Sequence, residues 1–272
     1  MPAFDECALY ADPELYNMLF PDARDSAAIP DKVRRERMLA SQQFYVEEAR
    51  KSGGPVLEVG CGSGRLTMAI AQSGIEVSGM DLSPTMLAAA RSKAESADVH
   101  IEFSRADMRG FDLGRRFSTI LIAGNALLHL LTNDELLQGL ATIGRHLAAD
   151  GRLIFDISKW DLERLARDPT GRHPVMSVID PRLGEIAIEE SAAYDSARQV
   201  RNIAWFLSTA TARDFRVIEY TLRVIFPQEL LLLLRIAGFQ LEARYGEFTR
   251  VPFDSFSPRQ VCICSVRPST VS

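Results

Sequence analysis

A short apolar strand that runs into three closely spaced glycines constrains this chain more than any other feature. Residues 56–59, Val-Leu-Glu-Val, form the β-branched and apolar run of an interior strand. Gly60, Gly62 and Gly64 then let the backbone approach a ligand closely, because glycine has no Cβ and tolerates positive φ. A helix predicted over 65–72 directs its free N–H groups at the turn, which favours polar or anionic groups. We therefore expect a nucleotide-like ligand where this strand ends.

Charge and hydropathy disfavour several classes of function. The chain has 272 residues, 47% hydrophobic and 25% charged, as in ordinary globular proteins. Its net charge of −5 offers no overall basic field to attract a nucleic-acid backbone. The longest apolar run, 230–234, is far shorter than the ~20 residues of a membrane span, and Met1 begins no signal-peptide pattern. We expect a cytoplasmic protein with neither a nucleic-acid nor a membrane partner.

No metal site is expected from the sequence. Cys262 and Cys264 alternate along an apparent strand, but they lack the spacing and the further ligands of a zinc site. We interpret them as small buried hydrophobic residues in a reducing compartment.

Strands and helices alternate from about residue 32 to 157. This alternation implies a parallel sheet with right-handed crossovers, and therefore an α/β fold with a Rossmann-like core. The predicted strands cover 56–59, 75–80, 99–104, 117–123 and 152–157.

The pattern changes after residue 157. Three strand-like stretches without helices between them, 186–194, 200–208 and 216–224, predict a small antiparallel insert. A helix through Ala237 and a final antiparallel pair then complete the core. The predicted organisation is an N-terminal lid segment (1–31), a ligand-binding core (32–157), the insert (158–225) and a C-terminal part (226–267).

Two acidic residues follow the next strands of the core. Asp81 lies about 20 residues after the glycine turn, where its carboxylate can accept hydrogen bonds from both hydroxyls of a ribose. With Leu82 it indicates an adenosine-type ligand without identifying it, because NAD enzymes use the same device. Asp107 and Met108 follow the third strand. An isolated Asp in a loop is usually a turn residue. Asp107 is informative because it is the third strand-end motif in succession, after the glycine turn and Asp81.

In this order and spacing the motifs resemble those of the class I S-adenosylmethionine (SAM) dependent methyltransferases. The first motif of that family is (D/E)-x-G-x-G-x-G, with Glu58 in the acidic position, whereas dinucleotide enzymes carry G-x-G-x-x-G. The resemblance implies a mostly parallel sheet with an antiparallel final strand. It also implies that Asp107 accepts from the adenine amino group, that Met108 contacts the base and that Arg65 approaches the methionine carboxylate. The implied cofactor-binding residues are Glu58, Gly60, Gly62, Gly64, Arg65, Asp81, Leu82, Asp107, Met108 and Asn125.

The segment after strand four faces the methyl group in this family. Here it includes Asn125 and His129, and it lacks both Asp/Asn-Pro-Pro-(Tyr/Phe) and the Pro-Cys pair of enzymes that methylate nucleobases or protein amides. What remains is similar to small-molecule N- or O-methyltransferases, including the aminosugar N,N-dimethyltransferases, where a His follows strand four. His129 is then a catalytic candidate that accepts a proton or orients the acceptor. A His that only caps the backbone is the alternative.

The N-terminal segment and one arginine supply the remaining candidates. Tyr16 and Phe20 are spaced i,i+4 on one helix face. The resemblance implies that this segment covers the cofactor as a lid, with Tyr16 catalytic and Tyr10 binding substrate; a plain core helix is the alternative. Arg259, just before the last strand, would pair with an anionic part of the substrate, and a solvated surface Arg is the alternative.

The sequence therefore predicts a SAM-dependent methyltransferase that acts on a nitrogen or oxygen of a small molecule and releases S-adenosylhomocysteine (SAH). A homodimer through the insert is a further hypothesis. Three alternatives stay open: a protein or RNA methyltransferase, an NAD(P)-dependent oxidoreductase, and a SAM-binding protein without catalysis.

Overall fold

Alternating strands and helices build a seven-stranded sheet in the computed structural model, which describes residues 9–22 and 28–267. The strands are β1 (Val56–Val59), β2 (Val77–Asp81), β3 (Glu102–Arg105), β4 (Phe117–Ile122), β5 (Leu147–Ser158), β10 (Phe239–Tyr245) and β11 (Arg259–Val266). Their order is β3-β2-β1-β4-β5-β11-β10, and β11 runs antiparallel to both of its neighbours. The predicted α/β fold, mostly parallel with an antiparallel final strand, is confirmed.

The helices that connect these strands start where the sequence supplies caps. They are α2 (Lys32–Ser52), α3 (Arg65–Gln72), α4 (Pro84–Ser96), α5 (Asn133–His146) and α7 (Pro227–Ile236). Ser83 caps α4 by accepting a hydrogen bond from the Met86 N–H, with Pro84 at the first helical position. Thr132 and Glu135 form a capping box at the start of α5. None of the described helices is both long and apolar enough to cross a membrane.

The strand order leaves room for a ligand site at the carboxyl ends of the central strands. β1 pairs in parallel with β2 on one side and with β4 on the other, so the chain changes direction across the sheet at β1. All four residues of β1 are buried. Loops at the carboxyl ends of such strands diverge at this switch point and leave a crevice between them.

Three strands of the predicted core begin at residues other than those expected from the sequence: β5, β3 and β2, the last at Val77 instead of residue 75. β5 begins at Leu147 instead of residue 152, because a register shift against β4 pairs Phe117 with Leu147 and Thr119 with Arg152. The residues between form an irregular stretch of strand that periodicity does not reveal. β3 begins at Glu102 instead of residue 99.

The insert is a separate antiparallel sheet of four strands and not three. Its strands are β6 (His173–Asp180), β7 (Gly184–Asp195), β8 (Val200–Ser208) and β9 (Arg216–Arg223), in that order. β6 was missing from the prediction because Pro174 and a bulge between Pro174 and Met176 interrupt its alternation. Its place at the sheet edge tolerates both features.

The N-terminal helix α1 (Pro13–Leu19) joins the insert to the core. Leu15 and Leu19 are buried in the same apolar cluster as Ile203 of β8. Asp12, the N-cap of α1, also forms an ion pair with Arg216 of β9 at 3.1 Å. Residues 1–8 and 23–27 of the predicted lid segment lie outside the described residues.

Gly79 in the middle of β2 provides a test of the packing around β1. A Cβ at this position would lie 2.8 Å from the Phe103 ring and 2.9 Å from Cys61 Sγ. We expect Gly79→Ala to lower the free energy of unfolding by about 1–3 kcal/mol through overpacking, measured by urea denaturation. Gly110→Ala is the control, because a Cβ there has no neighbour within 4 Å. Equal stability of the two variants would contradict this packing argument.

Candidate active site

A cleft opens at the carboxyl ends of β1, β2 and β4, and α1 covers part of it. Eleven of the residues proposed from the sequence line its wall: Tyr10, Tyr16, Glu58, Gly60, Gly62, Arg65, Asp81, Leu82, Asp107, Met108 and His129. They come from separate parts of the chain, which the parallel sheet brings to one edge.

The glycine turn forms one end of the cleft. Gly60 and Gly62 both have positive φ, +73° and +54°, which other residues adopt with strain. Asp81 holds this turn through its Oδ2, which accepts from the Gly62 N–H at 2.8 Å. Its Oδ1 accepts from the Ser83 N–H at 2.9 Å. A carboxylate can accept about four hydrogen bonds, so these two do not by themselves exhaust the acceptor capacity of Asp81.

Glu58 is a buried acid beneath the glycine turn. Burial raises its pKa from 4.5 to about 7, against the opposing effects of a hydrogen bond from the Thr67 hydroxyl and of the positive charge of Arg65. The carboxyl is therefore close to half-protonated at neutral pH. A cation bound in the cleft would favour its ionised form.

Arg65 and Tyr16 close the same end of the cleft. Arg65 Nη1 is buried and has no hydrogen-bond partner among the described residues. Burial raises the pKa of Tyr16 to about 12, although Arg65 lowers it, so this phenol stays neutral. A Cβ on Gly62 would lie 3.5 Å from the Tyr16 hydroxyl, which shows how closely the lid approaches the turn.

Asp107 is already paired in this structure. Arg109 donates to its carboxylate from the backbone N–H and from the side chain, at 2.6–3.1 Å. Burial raises the pKa of Asp107, but these bonds lower it by more, so the pKa lies below its usual value. Arg109 also bonds Glu135 at 2.8 Å, which ties the Asp107 loop to α5. An adenine amino group would therefore share Asp107 with Arg109.

His129 and Tyr10 form a hydrogen-bonded pair in the wall of the same cleft. The Tyr10 hydroxyl and His129 Nε2 lie 2.8 Å apart. Burial lowers the pKa of His129 from 6.5 to about 4, so the imidazole is neutral at physiological pH. It lies in a 3-10 turn, Ala126–His129, that directly follows β4.

Polar contacts hold the described part of the N-terminal segment against the cleft. Asn17 Oδ1 accepts from the Ser63 hydroxyl at 2.6 Å, and the Tyr10 carbonyl accepts from the Ser83 hydroxyl at 3.0 Å. One bond therefore joins the lid to the glycine turn and the other joins it to the end of β2.

Gly64 and Asn125 are not part of the cleft wall. Gly64 is the N-cap of α3 and packs against Ala90, where an added Cβ would lie at 3.1 Å. The Asn125 side chain bonds Ser158 instead, donating from Nδ2 to Oγ at 3.0 Å and accepting at Oδ1 from the backbone N–H at 2.7 Å. Each would act on a cofactor only through the backbone that it positions.

Arg259 is also outside the cleft, in a buried network around Asp156. Its Nη1 donates to Asp156 Oδ2 at 2.7 Å, while the other carboxylate oxygen accepts from the Tyr45 hydroxyl at 2.6 Å and from the Gly124 N–H at 2.8 Å. Gly124 lines the cleft. The substrate contact of Arg259 stays a prediction. In this structure its guanidinium is bonded to Asp156.

Among the polar residues that hold the site in place, Thr67, Arg109 and Asp156 were not predicted from the sequence. Asp156 alone carries a signal, because it is an acid within the apolar run Leu-Ile-Phe-Asp-Ile of β5. A buried carboxylate requires partners, so such a residue indicates a polar network.

Glu58 makes a testable contribution to stability. Its pKa is higher in the folded state than in the unfolded chain, so folding favours the protonated acid, and stability falls as pH rises from about 4.5 to 7. Above pH 7 the cost is roughly 3 kcal/mol, because each pKa unit corresponds to about 1.36 kcal/mol. We expect Glu58→Gln to be more stable than the unmodified protein at pH 8, by up to this amount, and equal to it at pH 4.

Chemical denaturation at the two pH values measures this effect. Glu95→Gln, at an exposed position of α4, is the matched control and should change neither value. A Glu58→Gln difference that does not depend on pH would contradict the raised pKa.

Comparison with known proteins identifies this arrangement. A family model described as a methyltransferase domain matches residues 56–151. A protein of Geobacillus sp. (strain WCH70), named as a methyltransferase, is 34% identical over 144 residues, 51% of this chain and 58% of that protein. The dTDP-3-amino-3,6-dideoxy-alpha-D-glucopyranose N,N-dimethyltransferase of Streptomyces fradiae is 36% identical over 101 residues, 37% of this chain and 38% of that enzyme.

A solved structure extends the similarity beyond these segments, which span less than two thirds of either curated relative. The CcbJ methyltransferase from Streptomyces caelestis has a TM-score of 0.73 and 26% identity, over 84% of this chain and 90% of that one. The glycine motif, the sheet order and these likenesses agree: residues 56–151 form a methyltransferase domain, and the chain shares the fold of a solved methyltransferase over 84% of its length.

Proposed function

We propose that this chain transfers a methyl group from SAM to an amine nitrogen of a small molecule. The observation that carries the proposal is the neutral His129–Tyr10 pair, held at the tip of β4 in the cleft that the glycine turn also lines. The relatives support an amine acceptor: one is named as a sugar N,N-dimethyltransferase, and another as a glycine/sarcosine N-methyltransferase.

The residues of the cleft fit SAM. The buried and unpartnered Nη1 of Arg65 is a donor for the methionine carboxylate. Asp81 has acceptor capacity for the ribose hydroxyls, and Gly62 leaves the turn open beneath Tyr16. Burial raises the pKa of Glu58 to about 7. A cationic ligand bound nearby would lower this pKa and favour the ionised carboxylate.

When bound, SAM supplies an electrophilic methyl group, so the protein needs no covalent nucleophile. The tasks left to the chain are to align the acceptor lone pair and to exclude water. Tyr10, Tyr16 and Phe20 form a row of rings over the cleft, with neighbouring centroids 6.0 Å and 5.1 Å apart. This apolar cover also disfavours a charged ammonium, and only a neutral amine has the lone pair that attacks.

His129 orients the acceptor in this proposal and does not store its proton. An imidazole with a pKa of about 4 is too weak a base to hold the proton of an alkylammonium ion. The neutral imidazole can instead form a hydrogen bond with the acceptor amine, while the hydrogen bond between Tyr10 and His129 Nε2 holds the ring in position. Its contribution is then one of geometry.

The pH dependence of turnover tests this role. We expect log kcat/KM of the unmodified protein to rise with pH as the acceptor amine loses its proton, without an inflection near 6.5 from His129. His129→Gln should lower kcat/KM by about 10²-fold and keep the shape of the profile, since misplacement alone costs on this order. SAH release measures the rate, and His100→Gln, at an exposed position, is the matched control. An inflection near 6.5 that His129→Gln removes would show a proton-accepting role.

Ligand binding separates this proposal from an oxidoreductase. We expect SAM and SAH, and not NAD, to raise the melting temperature, because the motif and the orphaned Arg65 donor suit an amino-acid carboxylate. Arg65→Gln should weaken the SAM effect by about tenfold in apparent Kd, as for the loss of one charge-assisted bond. Stabilisation by NAD alone would refute the proposal.

Turnover then separates an enzyme from a SAM-binding protein. SAH release with a panel of small amines and alcohols is the measurement, and SAM binding without release for any acceptor would favour the binding protein. Homodimerisation through the insert stays a prediction, and light scattering of the purified chain tests it.

A further inference from the structure

The insert meets the core at the segment that follows the His129 turn. Among the described residues, those that line the cleft belong to the N-terminal segment and the core, and none belongs to the insert. His129 and Leu130 are part of that lining. Arg223, the last residue of β9, bonds to Leu131, the next residue along the chain. This contact gives the insert an influence on the cleft that does not require it to touch a ligand.

The Arg223 guanidinium is buried and bonds to two residues of that segment. Its Nη1 donates to the Leu131 carbonyl at 2.9 Å, and its Nη2 donates to Asn133 Oδ1 at 2.7 Å. Nη2 also donates to Glu229 Oε1 at 2.8 Å, which places a carboxylate beside the positive charge. Only 4% of the Arg223 side chain is exposed, so water is not available to replace an acceptor that moves away. Because a buried guanidinium without acceptors is costly, these bonds hold the segment in one place.

The core fixes the same segment from the other side. The Leu131 N–H donates to Glu135 Oε2 at 2.9 Å, in the first turn of α5. Leu131 is therefore bonded to the core at its nitrogen and to the insert at its oxygen. The His129 ring lies two residues away, and its Nε2 is 2.8 Å from the Tyr10 hydroxyl. Because hydrogen bonds depend steeply on distance and angle, a small displacement of this backbone is enough to disturb that pair.

We propose that Arg223 is a positioning residue for methyl transfer, through which the insert holds His129 at the cleft. This inference rests on the proposed function, in which His129 orients the acceptor amine. Arg223 is not part of the cleft wall, so it acts on the geometry of His129 and not on cofactor binding. An arginine suits this task because its planar guanidinium presents two nitrogens to two acceptors in a fixed arrangement, which a lysine ammonium does not.

The ring nitrogens of His129 report its position directly. The chain has four histidines, so a long-range ¹H–¹⁵N spectrum of the purified protein shows four imidazoles, and His129→Gln assigns one of them. Arg223→Lys keeps the positive charge beside Glu229 but loses the paired bonds to the segment after His129. We expect this variant to shift the His129 signals and to leave the Kd for SAH unchanged. Its kcat should fall about tenfold, since a 1 Å misplacement can cost about 10²-fold.

Arg201→Lys is the matched control. Arg201 is also a buried arginine of the insert, 3% exposed, but its guanidinium bonds Glu190 at 2.8 Å and packs on the Trp160 ring. Its replacement by lysine should leave the His129 signals and kcat unchanged, whatever it costs in stability. Equal shifts of the His129 signals in the two lysine variants would show a general effect of loosening the insert, and would overturn the inference.

A second variant covers the case in which Arg223→Lys does not fold. Asn133→Ala removes one of the two acceptors without changing a charge, and should shift the His129 signals in the same direction by a smaller amount. His129 signals that stay at their positions in the unmodified protein would overturn the inference in either variant. Because the spectra and the SAH titration need no turnover, a failure of methyl transfer is observed separately.

Discussion

The buried carboxylate of Asp156 is the interaction on which the acceptor side of the cleft depends. It joins α2 through Tyr45, β11 through Arg259 and the end of β4 through the Gly124 N–H. Removing a carboxylate from water is costly unless its oxygens are bonded, so the fold stays intact only while these partners converge. Because Gly124 leads into the turn that carries His129, a contact made in the core positions His129 in the cleft.

Around the glycine turn, the cost of burying two acidic groups is opposed by the positive charge of Arg65. Glu58 and Tyr16 are buried side by side with Arg65, and burial raises the pKa of both acids. The site thus holds a destabilised acid in a closely packed turn. Such groups are retained at functional sites although they lower stability, because a bound cation can recover part of the cost.

Residues that depend on local backbone geometry were easier to predict than residues that depend on distant partners. Glycine spacing and acidic residues at strand ends are local features, so Gly60, Gly62 and Asp81 could be placed without a structure. Arg259 and Asn125 were expected at the cleft, but each pairs with a residue of β5 that is distant in sequence. β6 was missed because Pro174 and its bulge disrupt the strand period. Contacts between distant segments leave no periodic signal.

The insert contributes a contact near His129 and also a cost in stability. The insert meets the core through α1 and also directly, because Arg223 of β9 donates to the Leu131 carbonyl at 2.9 Å and to Asn133 Oδ1 at 2.7 Å, just after the turn that carries His129. An uneven pairing such as Arg164, Arg201 and Glu190 lowers stability. Replacing these residues with well-packed apolar ones would remove that cost.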